Sequence, residues 1–474
     1  MNEYTNPILE KLKQSSDVVI KKIPWQDTYF YLVLNEVLTD SDYISNFIIR
    51  SLKYAQNNNI QNLEEYLLGQ VTATNIKLIK KEEFYDNYLN GFAILLFNDN
   101  KYLAIEARSN LNRGISEATY EPSIRGSKDG FIEHFNTNLG LIRKRIKSPH
   151  LKLTTNFIGR ETNTKVGIIY MDNIVKKGLP EKIEEKLKTI DIDGILDSSY
   201  LKEQLENKTN YLFPTVMVTE RPDKVSMALL EGKVAILVDN SPNALILPTF
   251  FIDFFHTTDD YYQKPINVTF VRIIRLLAFF IAILIPAYYI AITTHNQDAI
   301  SLNLLTQFAS ARASVPYPAL IEALLMTISF EILRESDIRM PSYMGTAVSI
   351  LGGLVLGDAA VSAGIISPIM IIVIAISAIS GLLFSEIEVV SAIRWYRIFF
   401  LFLAAFFGIY GIFIAAGIMI YNIASLESFN LPYLAPFSPI IKEEQKDALL
   451  KMPTKKIKYR NILLSKNKVR ERIK

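Results

Sequence analysis

Long apolar stretches are confined to residues 271–423 and are absent from residues 1–270. Residues 271–292 carry no charge after Arg275, and residues 398–423 carry none at all. About 20 apolar residues, at ~1.5 Å per residue in a helix, cover the ~30 Å hydrocarbon layer of a bilayer. The chain is therefore predicted to be a membrane protein with a large soluble domain on one side.

The length of 474 residues favours two or three domains. The chain contains no cysteine, which excludes disulfide bonds and thiol chemistry. No signal-peptide core precedes the first apolar segment, so the preceding domain is expected to fold in the cytoplasm. Residues 440–474 hold 12 Lys or Arg and 4 Asp or Glu, a local charge of +8, which the positive-inside rule assigns to the cytosol. This basic tail either contacts anionic lipid headgroups or is solvated and disordered.

The predicted fold class is multi-domain, with an N-terminal α/β cytosolic domain of two subdomains and a C-terminal all-α transmembrane domain. Apolar periodicity predicts strands at 29–37, 92–97, 102–106, 166–171, 215–219 and 234–239. It predicts helices at 42–56, 62–68, 130–147, 180–189, 200–205 and 224–231. A polar stretch at 148–165 marks the subdomain boundary. The expected division is 1–24 polar lead-in, 25–150 first α/β subdomain, 151–270 second α/β subdomain, 271–425 transmembrane helical domain and 426–474 basic cytosolic tail.

Five apolar segments are expected to be helices in the membrane domain: 271–292, 316–333, 343–361, 364–384 and 398–423. Five full spans would place the two ends of the chain on opposite sides, whereas the N-terminal domain and the tail are both expected in the cytosol. We therefore predict four full spans and one partial segment. The partial segment is either 316–333, which contains two prolines and two glutamates, or a re-entrant pair at 343–384.

Three acids, Glu322, Glu331 and Asp358, lie within or beside the apolar segments. A carboxylate at the bilayer centre costs about 2.5–3.5 kcal/mol on insertion scales, so such a residue normally faces protein or water. All three are therefore candidates for an ion path. Glu331 has a local partner in Arg334, and Glu322 lies on a different helix face, which argues against a paired-carboxylate site. A ring of acids contributed by several subunits is the remaining arrangement.

Asp358 is the strongest of these candidates because small residues surround it. Gly353 and Gly357 have the GxxxG spacing, and Gly352 and Gly364 extend the small-residue stretch, so this helix is expected to pack closely against others. Asp358 then either faces a pore or a polar neighbour, or it ends a span at the water interface.

The sequence contains no Walker A, GxGxxG, HExxH or GxSxG motif, and its four histidines have no metal-ligand spacing. The basic run 143–147 ends a helix, where cations suit the dipole. It lacks interleaved aromatic residues, so nucleic-acid binding is not expected. We predict a non-enzymatic protein with no cofactor and no metal site.

Four separated segments carry a family resemblance. They are 125–147 (RGSKDGFIEHFNTNLGLIRKRIK), 220–242 (ERPDKVSMALLEGKVAILVDNSP), 330–368 (FEILRESDIRMPSYMGTAVSILGGLVLGDAAVSAGIISP) and 432–439 (PYLAPFSP). In this order they resemble the A subunit of GerA-type spore germinant receptors. The family usually has proline at Ser127 and glycine at Asn240. Asparagine tolerates the left-handed backbone region, so the turn at Asn240 is expected to persist.

The resemblance implies residence in the inner membrane of a bacterial endospore, with the N-terminal domain and the tail on the core side. It implies a membrane B subunit, a lipoprotein C subunit and further copies of the chain as partners, and a nutrient-gated channel for monovalent cations. Its motifs supply candidates for structural or interface roles: Arg125, Gly126, Asp129, Gly130, Arg143, Arg145, Glu220, Arg221, Pro222, Asp223, Glu231, Gly232, Asp239 and Pro242.

Two of these positions have a physical interpretation of their own. Asp223 follows Pro222 and is predicted to be the N-cap of the next helix, and Arg143 and Arg145 either contact another subunit or are solvated. The chain is thus predicted to be the A subunit of a nutrient germinant receptor that oligomerises as a cation channel. The alternatives are a non-conducting scaffold for a transporter-like partner, or a SpoVAF-like spore membrane channel paralogue.

Overall fold

The computed structural model describes residues 7–25, 28–58, 60, 63–70, 75–98, 101–109, 117–118, 121–206, 211–339, 352–353, 355–442, 444–453, 456–457, 459–466 and 469–470. Over these residues the chain forms two five-stranded antiparallel sheets with helices, followed by a mainly helical region. The predicted fold class is confirmed, because an N-terminal α/β domain with two sheets precedes a C-terminal helical region.

The first sheet has the order β1-β2-β4-β5-β3. Its strands are β1 Val18–Trp25, β2 Thr28–Asn35, β3 Ile76–Ile79, β4 Phe92–Asn98 and β5 Lys101–Glu106. Its helices are α1 Pro7–Leu12, α2 Arg50–Asn57, α3 Leu63–Gln70 and α4 Phe84–Leu89, and a π-helical segment, Ile44–Ile49, precedes α2. Helices cover both faces of the sheet. Successive side chains of a strand point to opposite faces, so Leu95 of β4 packs with α2 and Ile94 packs with α4.

The structure corrects the polar lead-in expected for residues 1–24. Ile8, Leu9 and Leu12 of α1 are buried, and β1 pairs with β2 along its whole length. Strand β1 contains only two charged residues, Lys21 and Lys22, but several of its side chains are exposed because it lies at the edge of the sheet.

The second sheet has the order β6-β7-β9-β10-β8. Its strands are β6 Leu151–Ile158, β7 Thr164–Met171, β8 Met217–Thr219, β9 Val234–Val238 and β10 Ala244–Leu247. Its helices are α5 Phe135–Arg145, α6 Leu179–Lys188, α7 Ser198–Leu205 and α8 Pro222–Leu230. Helices α5 and α8 cover one face and α6 and α7 the other, so the central strand β9 is buried along its whole length.

The polar stretch at 148–165, expected to be the subdomain boundary, contains strand β6. Leu139 and Ile142 of α5 pack with Leu153 of β6 and Ile169 of β7 in one apolar cluster. Helix α5 therefore belongs to the second sheet, and the two units divide before it. The polar residues of β6 are explained by its position at the edge of the sheet.

The helices of the C-terminal region, within the described residues, are α9 Pro265–Thr294, α10 Leu302–Arg312, α11 Ala319–Arg339, α12 Pro368–Gly381 and α13 Ile387–Ala424. A π-helical turn at Val355–Ala359 continues into Ala360–Ser362. Of these helices, α9 and α13 are long and apolar enough to cross a membrane, and α12 is a shorter apolar helix. The segment expected at 343–361 lies partly outside the described residues.

Helix α13 consists of two antiparallel legs that meet at Gly408, which has φ +60° and ψ −138°. The hydroxyl of Tyr396 on the first leg accepts a hydrogen bond of 3.3 Å from Asn422 Nδ2 on the second. In a straight helix these two residues would lie about 39 Å apart. The expectation of one full span at 398–423 is therefore wrong, because a single glycine reverses the chain inside an otherwise uniform apolar sequence.

Both legs run between the second sheet unit and the end of α9 that is remote from the sheets, called here the remote end. At the remote end, the backbone N–H of Ile409 donates to the side-chain oxygen of Asn296 at 3.1 Å. At the opposite end, the hydroxyl of Ser425 donates to the hydroxyl of Tyr211 at 3.1 Å. The chain thus leaves α13 at the end of the helical region where it entered.

The tail folds back onto the second sheet unit. Tyr433 is fully buried, and its hydroxyl donates to the carbonyl oxygen of Pro214 at 2.7 Å. Ser465 forms a β-bridge with Val175. The alternative of a solvated, disordered tail is wrong for the described residues, and the N-terminal domain and the tail lie at the same end of the helical region.

Candidate functional site

Glu322 is fully buried near the remote end of the helical region. Its Oε1 accepts a hydrogen bond of 2.7 Å from the backbone N–H of Ser367 and another from the Ser367 hydroxyl. Ser367 is the N-cap of α12, and the N-terminal end of a helix favours negative charge. Arg312 approaches the second carboxylate oxygen at 3.8 Å. Glu322 is thus held inside the chain.

Glu331 is held by three arginines, with Arg334 at 2.6 Å, Arg394 at 3.1 Å and Arg397 at 3.0 Å. The pair with Arg334 was expected from the local spacing. The other two partners lie on the first leg of α13, and sequence reasoning missed them because they are distant along the chain. Two arginines three residues apart at the start of an apolar helix are the signal that could have indicated them.

Asp358 differs from the other two acids because its side chain is exposed. It lies in the π-helical turn Val355–Ala359. Among the described residues, the salt bridges of the apolar helices involve Glu322 and Glu331 but not Asp358. Of the three predicted ion-path acids, Asp358 is therefore the one that another molecule can reach.

The glycines expected to mediate helix packing fall into two pairs. Gly352 lies against a leucine side chain, and Gly364, with φ +67°, lies against a serine carbonyl oxygen. Gly353 and Gly357 face open space in the described chain. The small-residue face beside Asp358 is thus uncovered by the described residues.

The start of α9 is tied to the residues before it and to the tail by buried charges. Asp260 pairs with Arg272 at 3.0 Å and with Arg275 at 2.9 Å, and Arg272 also pairs with Asp447 of the tail at 3.1 Å. Burial by itself would raise the pKa of Asp260, but hydrogen bonds and positive charge from Arg275 and Arg272 lower it below its usual value. Helix α9 cannot move away from the segment before it or from the tail without separating these charges.

The first leg of α13 is anchored to the second sheet unit. Lys202 of α7 contacts Glu388 at 2.5 Å and Glu386 at 3.7 Å, and Glu386 accepts a hydrogen bond of 3.4 Å from the backbone of Val218. Burial raises the pKa of Glu386, while the positive charge of Lys202 opposes the rise. The two longest helices therefore both begin at ion pairs, α9 with the preceding segment and the tail, and α13 with the second sheet unit.

A cavity of about 210 Å³ lies between α8, the residues before α9 and the tail. Its charged lining includes two ion pairs, Lys233 with Asp253 at 2.5 Å and Arg470 with Glu231. Gly232, with φ +95°, leaves room beside it for the backbone of the tail. The motif residues Glu231 and Gly232 thus hold the tail against α8.

His256 borders this cavity, and its Nε2 lies 2.7 Å from the carbonyl oxygen of Ala448. Burial, followed by the charge of Arg272, lowers the pKa of His256 to about 4. The folded protein keeps this imidazole neutral at pH values where the unfolded chain, with an ordinary pKa of ~6.5, already binds a proton. We therefore expect the free energy of unfolding to decrease as the pH falls from about 6.5 towards about 4, by up to ~1.4 kcal/mol per pKa unit.

Thermal unfolding of the purified chain in detergent, followed from about pH 7.5 to about pH 4.5, measures this effect. His256→Gln keeps a donor for Ala448 and should flatten the profile in this window. His134→Gln is the comparison variant: His134 is exposed and caps α5 through its ring nitrogen, and its replacement should leave in place the loss of stability that His256 causes. Identical profiles for wild type and His256→Gln would contradict the role given to this imidazole.

Two of the motif segments meet at Arg221, which is almost fully buried. Its guanidinium binds Asp223 at 2.7 and 3.1 Å and donates to the carbonyl oxygens of Ser127 at 2.9 Å and Glu121 at 3.0 Å. The prediction that Asp223 is the N-cap of α8 is wrong, since Arg221 is the N-cap and Pro222 opens the helix. Proline suits the first helical position, which moves the helix start towards the N-terminus.

Other motif residues hold the loop around 121–130 in place. Arg145 pairs with Asp129 at 2.6 Å. Gly126, with φ +112°, lies against the ring of Tyr262, and a Cβ at Gly130 would lie 3.2 Å from neighbouring backbone atoms. These residues make contacts within one chain.

The motif residues that remain bind backbone groups or form turns. The backbone N–H of Arg125 donates to Asp259 at 3.3 Å, and Glu220 accepts from a backbone N–H at 2.8 Å. Asp239 accepts from the first N–H of α5 at 3.2 Å. Asn240 has φ +63°, as expected for this turn, and Pro242 follows in the same turn before β10.

Arg143 joins the two sheet units. It is buried and pairs with buried Asp17 at 2.7 Å, and it donates to the carbonyl oxygen of Leu151 at 3.0 Å. Burial would raise the pKa of Asp17, but the charge and hydrogen bond of Arg143 contribute to lowering it. The expectation that Arg143 is solvated or contacts another subunit is wrong, because its partners lie within the chain.

Comparisons with known proteins give one consistent result. Residues 6–463 match the family described as Bacillus/Clostridium GerA spore germination protein. The chain is 37% identical over 454 residues to spore germination protein KA of Bacillus subtilis (strain 168), which covers 94% of this chain and 83% of that protein. It is 35% identical over 441 residues to the membrane protein YfkQ of the same organism, covering 92% and 86%.

The chain is also similar to a solved structure. This is the crystal structure of the N-terminal domain of the A subunit of the Bacillus megaterium spore germinant receptor GerK3. The sequence identity is 31%, the match covers 52% of this chain and 93% of that chain, and the TM-score is 0.40.

Proposed function

This chain belongs to the Bacillus/Clostridium GerA spore germination protein family, and we propose that it is the A subunit of a nutrient germinant receptor in the inner membrane of the spore. It assembles with a membrane B subunit, a lipoprotein C subunit and further copies of itself. The assembly is a nutrient-gated channel for monovalent cations, and the chain has no enzymatic role. The family relationship supports the receptor role, and the structure supports the position of the channel.

The surface of the helical region supports its place in a bilayer. Large apolar side chains are exposed on both legs of α13, among them Phe406, Phe407, Phe413 and Ile420. Phe413, for example, retains 72% of its accessible surface. A contiguous apolar surface of this kind is unfavourable in water and normal in contact with lipid.

The chain crosses the membrane an even number of times. Helix α9 leads from the sheet unit to the remote end, and the chain between α9 and α13 returns to the sheet unit, where α13 begins. The two legs of α13 then lead to the remote end and back. The N-terminal domain and the basic tail then both lie on the cytosolic side, as the positive-inside rule requires. The reversal at Gly408 supplies the additional crossing that is needed for both ends of the chain to lie on the same side of the membrane.

The cation path passes Asp358. One observation carries this proposal: Asp358 is exposed, whereas Glu322 is buried inside the chain and Glu331 is neutralised by arginines. Gly353 and Gly357 beside it leave room for a neighbouring helix. When several copies assemble around this face, their carboxylates form a ring of negative charge that attracts cations.

Two other functions are separated from this one by experiment. A scaffold would position a transporter-like B subunit without conducting ions, and a SpoVAF-like paralogue would conduct without sensing nutrients. The uncovered small-residue face would serve a scaffold as a docking surface equally well. The decisive property is therefore conduction itself.

Cation flux through liposomes that contain the purified chain tests the proposal. We expect potassium release above that of protein-free liposomes, and co-reconstitution with the B and C subunits should make this release depend on nutrient. Absence of flux in both preparations would favour the scaffold. Flux that is indifferent to nutrient even with the B and C subunits would favour the SpoVAF-like alternative.

A further inference from the structure

We infer that the arginine cluster formed by Arg334, Arg394 and Arg397 binds the phosphate group of an anionic phospholipid. The cluster is distinct from the face that carries Asp358. The inference rests on the proposed function only in placing these helices in a membrane, and it does not depend on whether the chain conducts ions.

The cluster has a surplus of positive charge. Its three guanidinium groups share the single carboxylate of Glu331. No other acid among the described residues lies within salt-bridge distance of these arginines, so the cluster carries two more positive charges than negative ones. Arg397 retains only 6% of its side-chain surface, and the Nε atoms of Arg334 and Arg397 are buried without a hydrogen-bond acceptor, while Nε of Arg394 lies 3.1 Å from the Glu331 carboxylate. Burying unpaired positive charge and N–H groups costs free energy unless an anion pairs with them.

The cluster is open to the surface of the helical region. Arg394 retains 30% of its side-chain surface and Arg334 retains 18%. A phosphate group can therefore approach these two side chains from outside, while Arg397 behind them donates to Ser377 at 3.2 Å and is fixed in position. The geometry is that of a shallow surface site with a buried base.

The depth of the cluster corresponds to the headgroup layer. Arg394 and Arg397 directly precede the uncharged residues 398–423, so they lie where the first leg of α13 enters its apolar part. Trp395, next to Arg394, is exposed, and tryptophan concentrates at membrane interfaces. Helix α11 also becomes charged from Glu331 onwards, after an apolar first half.

A phosphodiester matches this site in shape and charge. Its two unesterified oxygens fit the planar fork of arginine, which binds phosphate in a bidentate manner. A zwitterionic headgroup carries the same phosphate together with a cation that the surplus charge of the cluster repels. The cluster therefore favours a lipid with net negative charge, such as phosphatidylglycerol, in the cytosolic leaflet.

The test is thermal unfolding of the full chain in nanodiscs of phosphatidylcholine, compared with nanodiscs in which part of the lipid is phosphatidylglycerol. A ligand that binds the folded state raises the melting temperature by mass action. We expect wild type to melt several degrees higher with phosphatidylglycerol, and Arg394→Gln to lose most of that shift. Arg394→Lys should keep part of it, because lysine retains the charge without the fork.

Arg339→Gln is the matched control, since it removes an exposed arginine from the same part of α11, where it pairs only with Glu335 among the described residues. This variant should keep the full shift. The inference is overturned by a wild type without a shift, or by an Arg394→Gln variant whose shift equals that of wild type. Inorganic phosphate added to phosphatidylcholine nanodiscs tests whether a free phosphate ion, and not a lipid headgroup, is the ligand of the cluster. An equal shift with phosphate would assign the cluster to a free anion and overturn the lipid assignment.

The two proposals fail in different ways in this experiment. A lipid-dependent shift in a chain that gives no cation flux would leave the lipid site standing and reject the channel. A chain that does not enter nanodiscs would reject the membrane location on which both proposals stand.

Discussion

Replacing Gly408 with alanine is expected to destabilise the folded helical region by about 2–6 kcal/mol. Gly408 has φ +60° and ψ −138°, a backbone conformation that is unfavourable for any residue with a Cβ. A Cβ at this position would also lie 2.5 Å from Asn296 Oδ1 and 2.8 Å from His295 Cβ. Backbone strain and overpacking each contribute about 1–3 kcal/mol to the expected loss.

Thermal unfolding in detergent compares this variant with Gly417→Ala. Gly417 lies on the second leg of α13, and no atom lies within 4 Å of a Cβ built there. Because alanine is favoured over glycine in a helix by about 1 kcal/mol, Gly417→Ala should melt at or above the wild-type temperature. A Gly408→Ala variant that also melts there would show that α13 does not turn at Gly408.

The reversal at Gly408 explains why the number of spans could not be predicted from the sequence. The segment 398–423 is uniformly apolar and contains glycines at 408, 411 and 417. Hydropathy measures only the length of such a run, and the run is long enough for one full span. Which glycine reverses the chain is decided by contacts with Asn296 at the end of α9, and these are contacts between distant segments.

Features set by neighbouring residues were predicted more successfully. The turn at Asn240 and the ion pair between Glu331 and Arg334 depend on residues within three positions, and both were expected. The partners Arg394 of Glu331 and Asp17 of Arg143 were missed, because each joins segments far apart in the sequence. Spacing rules carry no information about such pairs.

Edge strands were the main omission in the N-terminal domain. Strand β6 contains four polar residues in eight, and β1 exposes several of its side chains, because each has a partner on one side only. Apolar periodicity identifies a strand by the face that it buries, and that signal is weakest at an edge. The central strands β4, β7 and β9, which are apolar along most of their length, were all expected. The central strand β10 was not predicted although it is apolar and buried, and the edge strand β8 was predicted.

Replacing Asp358 with asparagine is expected to lower nutrient-triggered cation release by about tenfold, which corresponds to a rise of ~1.4 kcal/mol in the barrier. The substitution preserves the size of the side chain and removes one negative charge from each copy in the proposed ring. Because Asp358 is exposed and lies outside the salt bridges of the described residues, the amount of folded protein in the membrane should not change. Asp358→Glu keeps the charge and should retain most of the release.

Glu335→Gln is the matched control for a general effect of charge. Glu335 is also exposed, and it pairs with Arg339 at the end of α11. This variant should release cations at the wild-type rate. A comparable loss in Glu335→Gln would mean that the loss reflects net charge and not the position of Asp358.

The rate of nutrient-triggered potassium release from spores, normalised to the amount of this chain in the inner membrane, tests most directly whether the cation path passes Asp358. A rate about tenfold lower in Asp358→Asn spores, with the rate largely kept in Asp358→Glu spores, is the predicted result. Equal normalised rates in wild-type and Asp358→Asn spores would contradict it.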